Sequence, residues 1–205
     1  MSDSYLTIQT EKRSELKVKG SRFIGESYHV ETEDEALNRL EAVRKRKHQA
    51  THHCYAYLVG RPEVRQFKYS DDGEPTGTAG KPIYDVLTGR RVTDVLLVVT
   101  RYFGGTKLGT GGLVRAYGNT ARAVMEASGS REVYITSQFR FVLDFSLYDQ
   151  WQREIHKLGA RIIDSQFSDR VTLDVGVRRT LAERLVSSFQ QLTSGKGEVE
   201  EIDKS

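Results

Sequence analysis

The amino-acid sequence predicts an α+β protein of two domains, and three observations lead to that expectation. The 205 residues suffice for two hydrophobic cores, since domains commonly hold about 100 to 150 residues. Strand-like alternation and helix-like spacing of apolar residues follow one another in both parts of the chain. Residues 1–130 hold 20 Lys and Arg against 16 Asp and Glu, whereas residues 131–205 hold 11 against 12. We therefore expect domains at 1–130 and 131–205, the first of them net basic.

Composition bounds the class of protein. Apolar residues form 38% and charged residues 29% of the chain, a balance typical of globular domains. No stretch approaches the roughly 20 apolar residues that span a bilayer, and charges interrupt the first thirty residues where a signal peptide would be apolar. The net charge of +3 is milder than that of a dedicated duplex-DNA binder. Cys54 is the single cysteine, so no internal disulfide can form, which fits a reducing compartment. We expect a cytoplasmic monomer without membrane contact.

Five strands are expected in the first domain, where β-branched and aromatic residues alternate with polar ones or run together. They cover residues 15–19, 22–30, 53–58, 64–69 and 95–99. Gly20 and Ser21 are predicted to form the turn between the first two. The fifth strand is apolar throughout, which predicts burial on both faces of a sheet.

Three helices separate these strands. The first begins at Thr32, which has capping-box spacing to Glu35, and ends in the basic run 44–48, where cations suit the helix dipole. A second helix is expected over 82–89, since proline favours the first turn of a helix and glycine follows its end. The third follows a glycine loop and has its apolar face within 113–124.

The second domain is predicted to follow the order strand, helix, strand, strand, helix, strand. Its expected elements are a strand with alternating apolar residues over 139–147, a helix over 151–158 that ends at Gly159, strands at 161–167 and 171–177, a helix over 181–192 and an edge strand at 199–202. The two middle strands are expected to form a central hairpin. This βαββαβ order is that of a ferredoxin-like domain.

Two glycine-rich loops are the candidate functional segments of the first domain. Residues 70–80 and 104–112 each lead into a predicted helix, whose free backbone N–H groups favour anions. Neither loop matches the P-loop or the dinucleotide-binding pattern, and tight packing of strand against helix is the alternative interpretation. Lys81 could add a phosphate contact beside the first loop.

Three cations accompany the second loop. Arg101 ends the buried strand, Lys107 lies in the loop, and Arg115 comes one turn into the following helix. They would cluster if the loop folds back on itself, which again suggests phosphate binding. The alternative is that they are solvated surface charges.

Asp71, Asp72 and Glu74 give the first loop an acidic character that allows three interpretations. The carboxylates could hold Mg²⁺ against a phosphate. They could act as general acid and base. They could also turn and cap the loop by accepting bonds from nearby backbone N–H groups.

A cluster of three histidines with Cys54 suggests zinc or thiol chemistry at first. Strand alternation, however, puts His52 and Cys54 on the face opposite His53, so that together with His48 they do not converge as four ligands. We therefore expect no metal ion and no cofactor. Cys54 is predicted to be a small buried residue without a catalytic role.

Three motifs resemble the signature of the YigZ/IMPACT family. They are Ala50-Thr51-His52, Ser70-Asp71-Asp72-Gly73-Glu74 and Val99-Thr100-Arg101-Tyr102-Phe103-Gly104-Gly105 with Leu108-Gly109. The resemblance extends over nearly the whole chain. It implies a first domain of the ribosomal protein S5 domain 2-like fold and a ferredoxin-like second domain similar to elongation factor G modules. His53 departs from the family, which often has Asn there.

The family resemblance also implies a grouping of residues and a link to translation. Carried over by position, a cleft for phosphate groups or nucleic acid would be lined by His52, Asp71, Asp72, Glu74, Arg101, Gly104, Gly105, Lys107 and Gly109, to which the loop positions add Lys81 and Arg115. Eukaryotic members regulate translation by competing for an activator of a kinase that phosphorylates an initiation factor.

Three functions remain open from the sequence. The first is a regulatory protein associated with RNA or the ribosome, with a translation-related protein as a further partner. The second is an enzyme acting on a small phosphorylated or nucleotide-like substrate, with Asp72 or Glu74 as general base. The third is a protein-interaction module without ligand chemistry. The resemblance favours regulation over catalysis.

Overall fold

A computed structural model describes residues 3–61 and 64–202 of the chain. The chain divides into two compact units, residues 5–133 and residues 134–202 together with residues 3–4. Each unit mixes helices with antiparallel strands. The expected α+β architecture of two domains is therefore confirmed.

The first unit is built on a five-stranded antiparallel sheet. Its elements in chain order are β1 (Ser4–Ile8), β2 (Arg13–Val18), β3 (Ser21–His29), α1 (Glu33–Arg46), β4 (His52–Val59), β5 (Gln66–Ser70), α2 (Gly80–Gly89), β6 (Val95–Tyr102), α3 (Thr110–Ser128) and β7 (Ser130–Tyr134). The strand order is β2-β3-β6-β4-β5, and β1 pairs with β7 in a separate sheet. The sheet therefore has β6 at its centre and β5 at one edge.

Helices cover both faces of this sheet. Helices α2 and α3 pack on the face that carries Cys54, Val95 and Val99, while α1 packs on the face of Tyr57 and Leu96. Successive residues of β6 thus enter two separate cores, since side chains alternate along a strand. The prediction that this strand is buried on both faces is confirmed.

Local sequence accounts for the beginning and end of α1. Thr32 Oγ1 accepts a hydrogen bond of 3.2 Å from the backbone N–H of Glu35, as the capping box predicts. The Glu35 carboxylate in turn accepts from the N–H of Glu31, one residue earlier than the standard motif. Three basic residues, 44–46, lie in the last turn.

The strands β1 and β7 were not predicted, and several boundaries in the first unit differ from the prediction, two of them beside the glycine loops. The turn between β2 and β3 lies at Lys19 and Gly20, which have φ of 45° and 83°, whereas Ser21 is a buried residue of β3. A two-residue hairpin turn with both angles positive suits the twist of the flanking strands. Helix α3 begins at Thr110, so the last glycines of the predicted loop are helical.

The second unit has the predicted element order. It consists of β8 (Thr136–Leu143), α4 (Tyr148–Lys157), β9 (Arg161–Phe167), β10 (Val171–Arg178), α5 (Ala182–Thr193) and β11 (Glu198–Ile202). Both helices bury their apolar residues against one face of a four-stranded sheet. Trp151 lies in this core with ring centroids 5.0 Å from those of Phe141 and Phe189.

Two predictions for the second unit were wrong in detail. The first strand stops at Leu143, because the N–H of Leu147 turns back to the carbonyl of Asp144 and closes a 3-10 turn. Phe145 in that turn is 52% exposed rather than part of the sheet face. The hairpin of β9 and β10 is not central either, since the strand order is β11-β8-β10-β9 and β9 is an edge.

No helix among residues 3–61 and 64–202 combines the length and the apolar character that crossing a bilayer requires.

Candidate functional site

A buried charged junction joins the two glycine loops. Glu74 comes from the first loop and Arg101 from the end of β6, and their residues are only 8% and 5% exposed. Arg101 Nη1 lies 2.7 Å from Glu74 Oε1. The hydroxyl of Tyr117, on α3, donates to the same oxygen at 2.8 Å. We call these three residues the Glu74–Arg101–Tyr117 junction.

Aromatic rings and one hydroxyl enclose the guanidinium of Arg101. Its carbon lies 5.5 Å from the ring centre of Phe23 and 5.4 Å from that of Phe103, and Nη2 lies 3.4 Å from Ser21 Oγ. Nε is buried and has no hydrogen-bond acceptor in the described part of the chain. Arg101 is therefore not the solvated surface charge that was one alternative, since its charge is buried and paired.

The second glycine loop is held against the turn between β2 and β3. The backbone N–H of Gly104 donates to Ser21 Oγ at 3.1 Å. A Cβ atom on Gly104 would lie 1.9 Å from the carbonyl carbon of Gly20, so only glycine allows this approach. Gly105 and Gly109 have positive φ angles of 86° and 70° and lie exposed on the loop.

Asp71 caps helix α2 from within the first loop. One of its carboxylate oxygens accepts from the N–H groups of Ala79 and Gly80 at 2.9 and 2.8 Å, and the other accepts from Gly77 at 2.8 Å. Of the three interpretations of the acidic residues, capping describes Asp71. The positive end of α2 is thus already occupied by a carboxylate of the protein.

Asp72 ties the first loop to α1 and β4. Its carboxylate pairs with Arg44 at 2.9 Å and accepts from the N–H of His53 at 2.6 Å. Its carbonyl oxygen lies 2.8 Å from Nδ1 of His52, and Nε2 of that ring is 3.9 Å from the Glu74 carboxylate. Both carboxylates considered as a general base are therefore engaged in structural contacts. Within residues 3–61 and 64–202, no group of three His, Cys, Asp or Glu could hold a metal ion.

Cys54 lies under the first loop and is completely buried, as the sequence predicts. Its Sγ donates to the carbonyl of Asp71 at 3.0 Å. Burial raises the pKa of the thiol, and the neighbouring hydroxyl of Tyr117 opposes this only in part. The group is therefore protonated at neutral pH and a poor nucleophile. Burial likewise raises the pKa of Tyr117.

His53 belongs to the other face of the sheet, with Tyr55 and Tyr57. Its Nδ1 lies 3.4 Å from Thr100 Oγ1. Burial lowers the pKa of this imidazole, while the negative charge of Asp72 acts in the opposite direction. The departure from the family pattern therefore lies away from the junction.

The structure divides the predicted cleft residues into three groups. His52, Asp71, Asp72, Glu74, Arg101 and Gly104 lie at or beside the junction, while Gly105, Lys107 and Gly109 lie exposed on the second loop. Lys81 and Arg115 instead line a groove between α2 and α3. The expected cluster of Arg101, Lys107 and Arg115 is thus divided between a buried pair, a loop and a groove.

Tyr117 is the residue of the junction that sequence reasoning missed. It was assigned to the apolar face of α3 because of its spacing, and it does lie in that core. A buried tyrosine hydroxyl nevertheless needs a hydrogen-bond partner. That requirement was the available signal, although it does not identify Glu74 as the partner.

Family models match both units. Residues 19–125 match the Impact N-terminal domain, and residues 141–196 match a domain of unknown function, DUF1949. The IMPACT family member YvyE of Bacillus subtilis is 34% identical over 201 residues, which cover 98% of this chain and 92% of that protein. The IMPACT family member YigZ of Escherichia coli is 36% identical over 163 residues, 78% of this chain and 79% of YigZ. A crystal structure of a hypothetical protein matches with a TM-score of 0.72 at 29% identity and covers the whole of both chains.

Proposed function

The chain belongs to the IMPACT family, and from this premise we propose that it is a translation-linked regulatory protein that binds RNA, on the ribosome or free from it, through its first unit. The family resemblance supports the link to translation, with a translation-related protein as a second kind of partner and the cytoplasm as the location. The net charge of +4 over residues 1–130 supports binding to a polyanion.

The fold assignments belong to the same proposal. The order β11-β8-β10-β9, with helices after the first and third strands, supports a ferredoxin-like second unit. The family resemblance supports an S5 domain 2-like first unit.

The observation that carries the proposal is the contrast between the two glycine loops. Asp71 fills the N-terminal end of α2, whereas α3 has Gly109 as its N-cap, with no side-chain cap and no acidic residue in its first turn. Lys107 is exposed beside this start. The guanidinium of Arg101, by contrast, is buried and paired with Glu74, so it positions the loop and does not face a ligand.

The cleft residues then take two roles. His52, Asp71, Asp72, Glu74 and Arg101 hold the loops in place, while backbone N–H groups of the second loop and Lys107 contact phosphate. The engaged carboxylates of Asp72 and Glu74 favour binding over general-base catalysis.

A salt titration of RNA binding by the full chain tests this proposal. We expect the affinity for single-stranded RNA to fall with rising salt, and Lys107→Ala to lower the slope of log affinity against log salt by about 0.7. Lys45→Ala is the matched control, since Lys45 is an exposed cation on α1, on the opposite face of the sheet. Affinity that does not depend on salt, or no binding at low salt, would contradict the proposal.

A further inference from the structure

A groove of about 530 Å³ runs between α2 and α3 on the helical face of the first unit. Four cationic side chains line it, with one carboxylate among them. The cations are Lys81, Arg90, Arg115 and Arg122, and the carboxylate is Asp85. The apolar side chains of Pro82, Val86 and Val114 complete its wall. This surface was not predicted as a unit from the sequence.

Two of the four cations are available to a ligand. Lys81 pairs with Asp85, and Arg122 bonds to Asn119 on its own helix. In the part of the chain that the structure describes, Arg90 and Arg115 make no side-chain hydrogen bond or ion pair, and both are exposed. The groove thus offers two unpaired guanidinium groups. The planar arrangement of N–H donors in a guanidinium suits phosphate.

Arg115 connects the groove to the second glycine loop. Its Nη1 lies 3.6 Å from the position of a Cβ on Gly111, in the first turn of α3. The groove therefore extends to the start of that helix, where the loop of the proposed phosphate site ends. A chain of phosphates could follow both without leaving the helical face.

Exposed aromatic rings lie on the other side of α2, at the edge strand β5. Phe67 and Tyr69 are two residues apart, so their side chains lie on the same face of this strand. They are 56% and 41% exposed. Their ring centres lie 5.1 and 5.3 Å from that of Tyr84, a residue of α2. Residues three apart on a helix are surface neighbours, so Tyr84 lies beside Lys81, which lines the groove. We call Phe67, Tyr69 and Tyr84 the aromatic platform.

Resting on the RNA-binding function proposed above, we propose that single-stranded RNA is the ligand of this helical face, with bases stacked on the aromatic platform and phosphates on Arg90 and Arg115. Proteins that bind single strands combine a basic groove with aromatic rings in this way. Duplex RNA would not use the rings, because its bases are stacked within the helix. An acidic protein would meet the cations but has no base to stack on Phe67 and Tyr69.

The aromatic half of the proposal is tested with the full chain and a labelled oligouridine of about 12 nucleotides, a length within the site sizes of single-strand binders. We expect Phe67→Ala and Tyr69→Ala each to weaken binding about tenfold, and Tyr69→Phe to keep most of the affinity. Phe145→Ala is the matched control, since Phe145 is 52% exposed in the second unit. Circular dichroism and urea unfolding establish that each variant is folded.

The cationic half is tested on the salt dependence of the same complex. Arg90→Ala and Arg115→Ala are each expected to lower the salt slope by about 0.7, whereas Arg115→Lys should keep it, because the charge remains. Lys45→Ala again serves as the control. A duplex RNA of equal length should bind more weakly and be indifferent to Tyr69→Ala.

The outcomes separate this inference from the function on which it rests. Wild-type binding that all groove and platform variants leave unchanged would overturn the inference and leave the proposed function standing. No binding of the oligouridine by the wild type would overturn both. If polyglutamate binds more tightly than oligouridine and only the arginine variants lose it, the face recognises an acidic protein and the inference is wrong.

Discussion

The two units differ in whether they bury an ion pair. The second buries an apolar core around Trp151, and its described ion pairs, such as Arg140 with Asp174, lie on the surface. The first places a fully enclosed ion pair, Glu74 with Arg101, between two loops and a helix. A buried ion pair adds less stability than well-packed apolar groups would, so its presence suggests a role in setting geometry. We therefore expect the first unit, and not the second, to depend on a buried ion pair for its stability.

The sequence provides one reporter in each unit. The only tryptophan, Trp151, lies in the core of the second unit, and the only cysteine, Cys54, lies in the core of the first. Tryptophan fluorescence therefore follows unfolding of the second unit, and the rate of thiol labelling follows opening of the first. The comparison between the units can thus be tested in one sample.

The largest expected effect comes from Glu74→Ala. Removing the carboxylate leaves the charge of Arg101 buried without its partner, which should lower the free energy of unfolding of the first unit by about 3–5 kcal/mol. The measurement is urea unfolding followed by labelling of Cys54. Replacing both partners, as Glu74→Leu with Arg101→Met, should recover most of the loss.

Asp174→Ala is the matched control in the second unit. It removes the partner of Arg140, whose side chain is 42% exposed, and should cost about 0–1 kcal/mol by tryptophan fluorescence. Similar losses in the two units would contradict the proposed difference between their ion pairs.

The sequence predicts the second unit, with its apolar core, more completely than the first unit, with its buried ion pair. The second unit was predicted element by element, because alternation and helical spacing specify which face of each element meets the core. Phe145 was wrongly assigned to the first strand of this unit, because it continues the alternation of apolar residues beyond Leu143, where the strand ends. Periodicity does not encode strand order either, so the edge position of β9 was missed.

The candidate site was predictable only in part. The glycine loops and their acidic and basic residues stand out in the sequence, but which carboxylate pairs with which cation is a tertiary contact. Glu74 and Arg101 are 27 residues apart in the sequence, and nothing local couples them. The groove cation Arg90 follows the last residue of α2 and Arg122 lies on α3, so they come to line one groove only when the two helices pack together.

A smaller effect should separate the units at alkaline pH. The pKa values of Cys54 and Tyr117, both in the first unit, are raised from ordinary values of 9.0 and 10.0, chiefly by burial. The folded state therefore keeps protons that the unfolded state releases. The contribution of Cys54 to stability is complete below about pH 8 and decreases above pH 9, and that of Tyr117 decreases above pH 10, in each case by about 1.4 kcal/mol per pH unit.

The measurement is urea unfolding between pH 7 and pH 10, with near-ultraviolet circular dichroism of tyrosine for the first unit. The first unit should lose stability with rising pH faster than the second, which contains no cysteine. Cys54→Ala should remove the thiol's share of the pH dependence. Any change that the substitution makes in the free energy of unfolding at pH 7 is measured separately. Equal slopes for the two units would count against this account.

The smallest expected difference is the partial recovery by asparagine at glycines that the two units need for different reasons. Gly104→Ala would bring a Cβ to within 1.9 Å of the backbone of Gly20, so the loop must shift, at a cost of about 1–3 kcal/mol. Gly159, at the end of α4, has a φ of 65° and no atom within 4 Å of its added Cβ. Gly159→Ala should therefore cost only about 1 kcal/mol, the penalty of a left-handed backbone. Asparagine tolerates that backbone, so Gly159→Asn should recover part of the loss, whereas Gly104→Asn should recover none. Recovery at both positions, measured by urea unfolding, would contradict the close approach of Gly104 to Gly20 that holds the second loop.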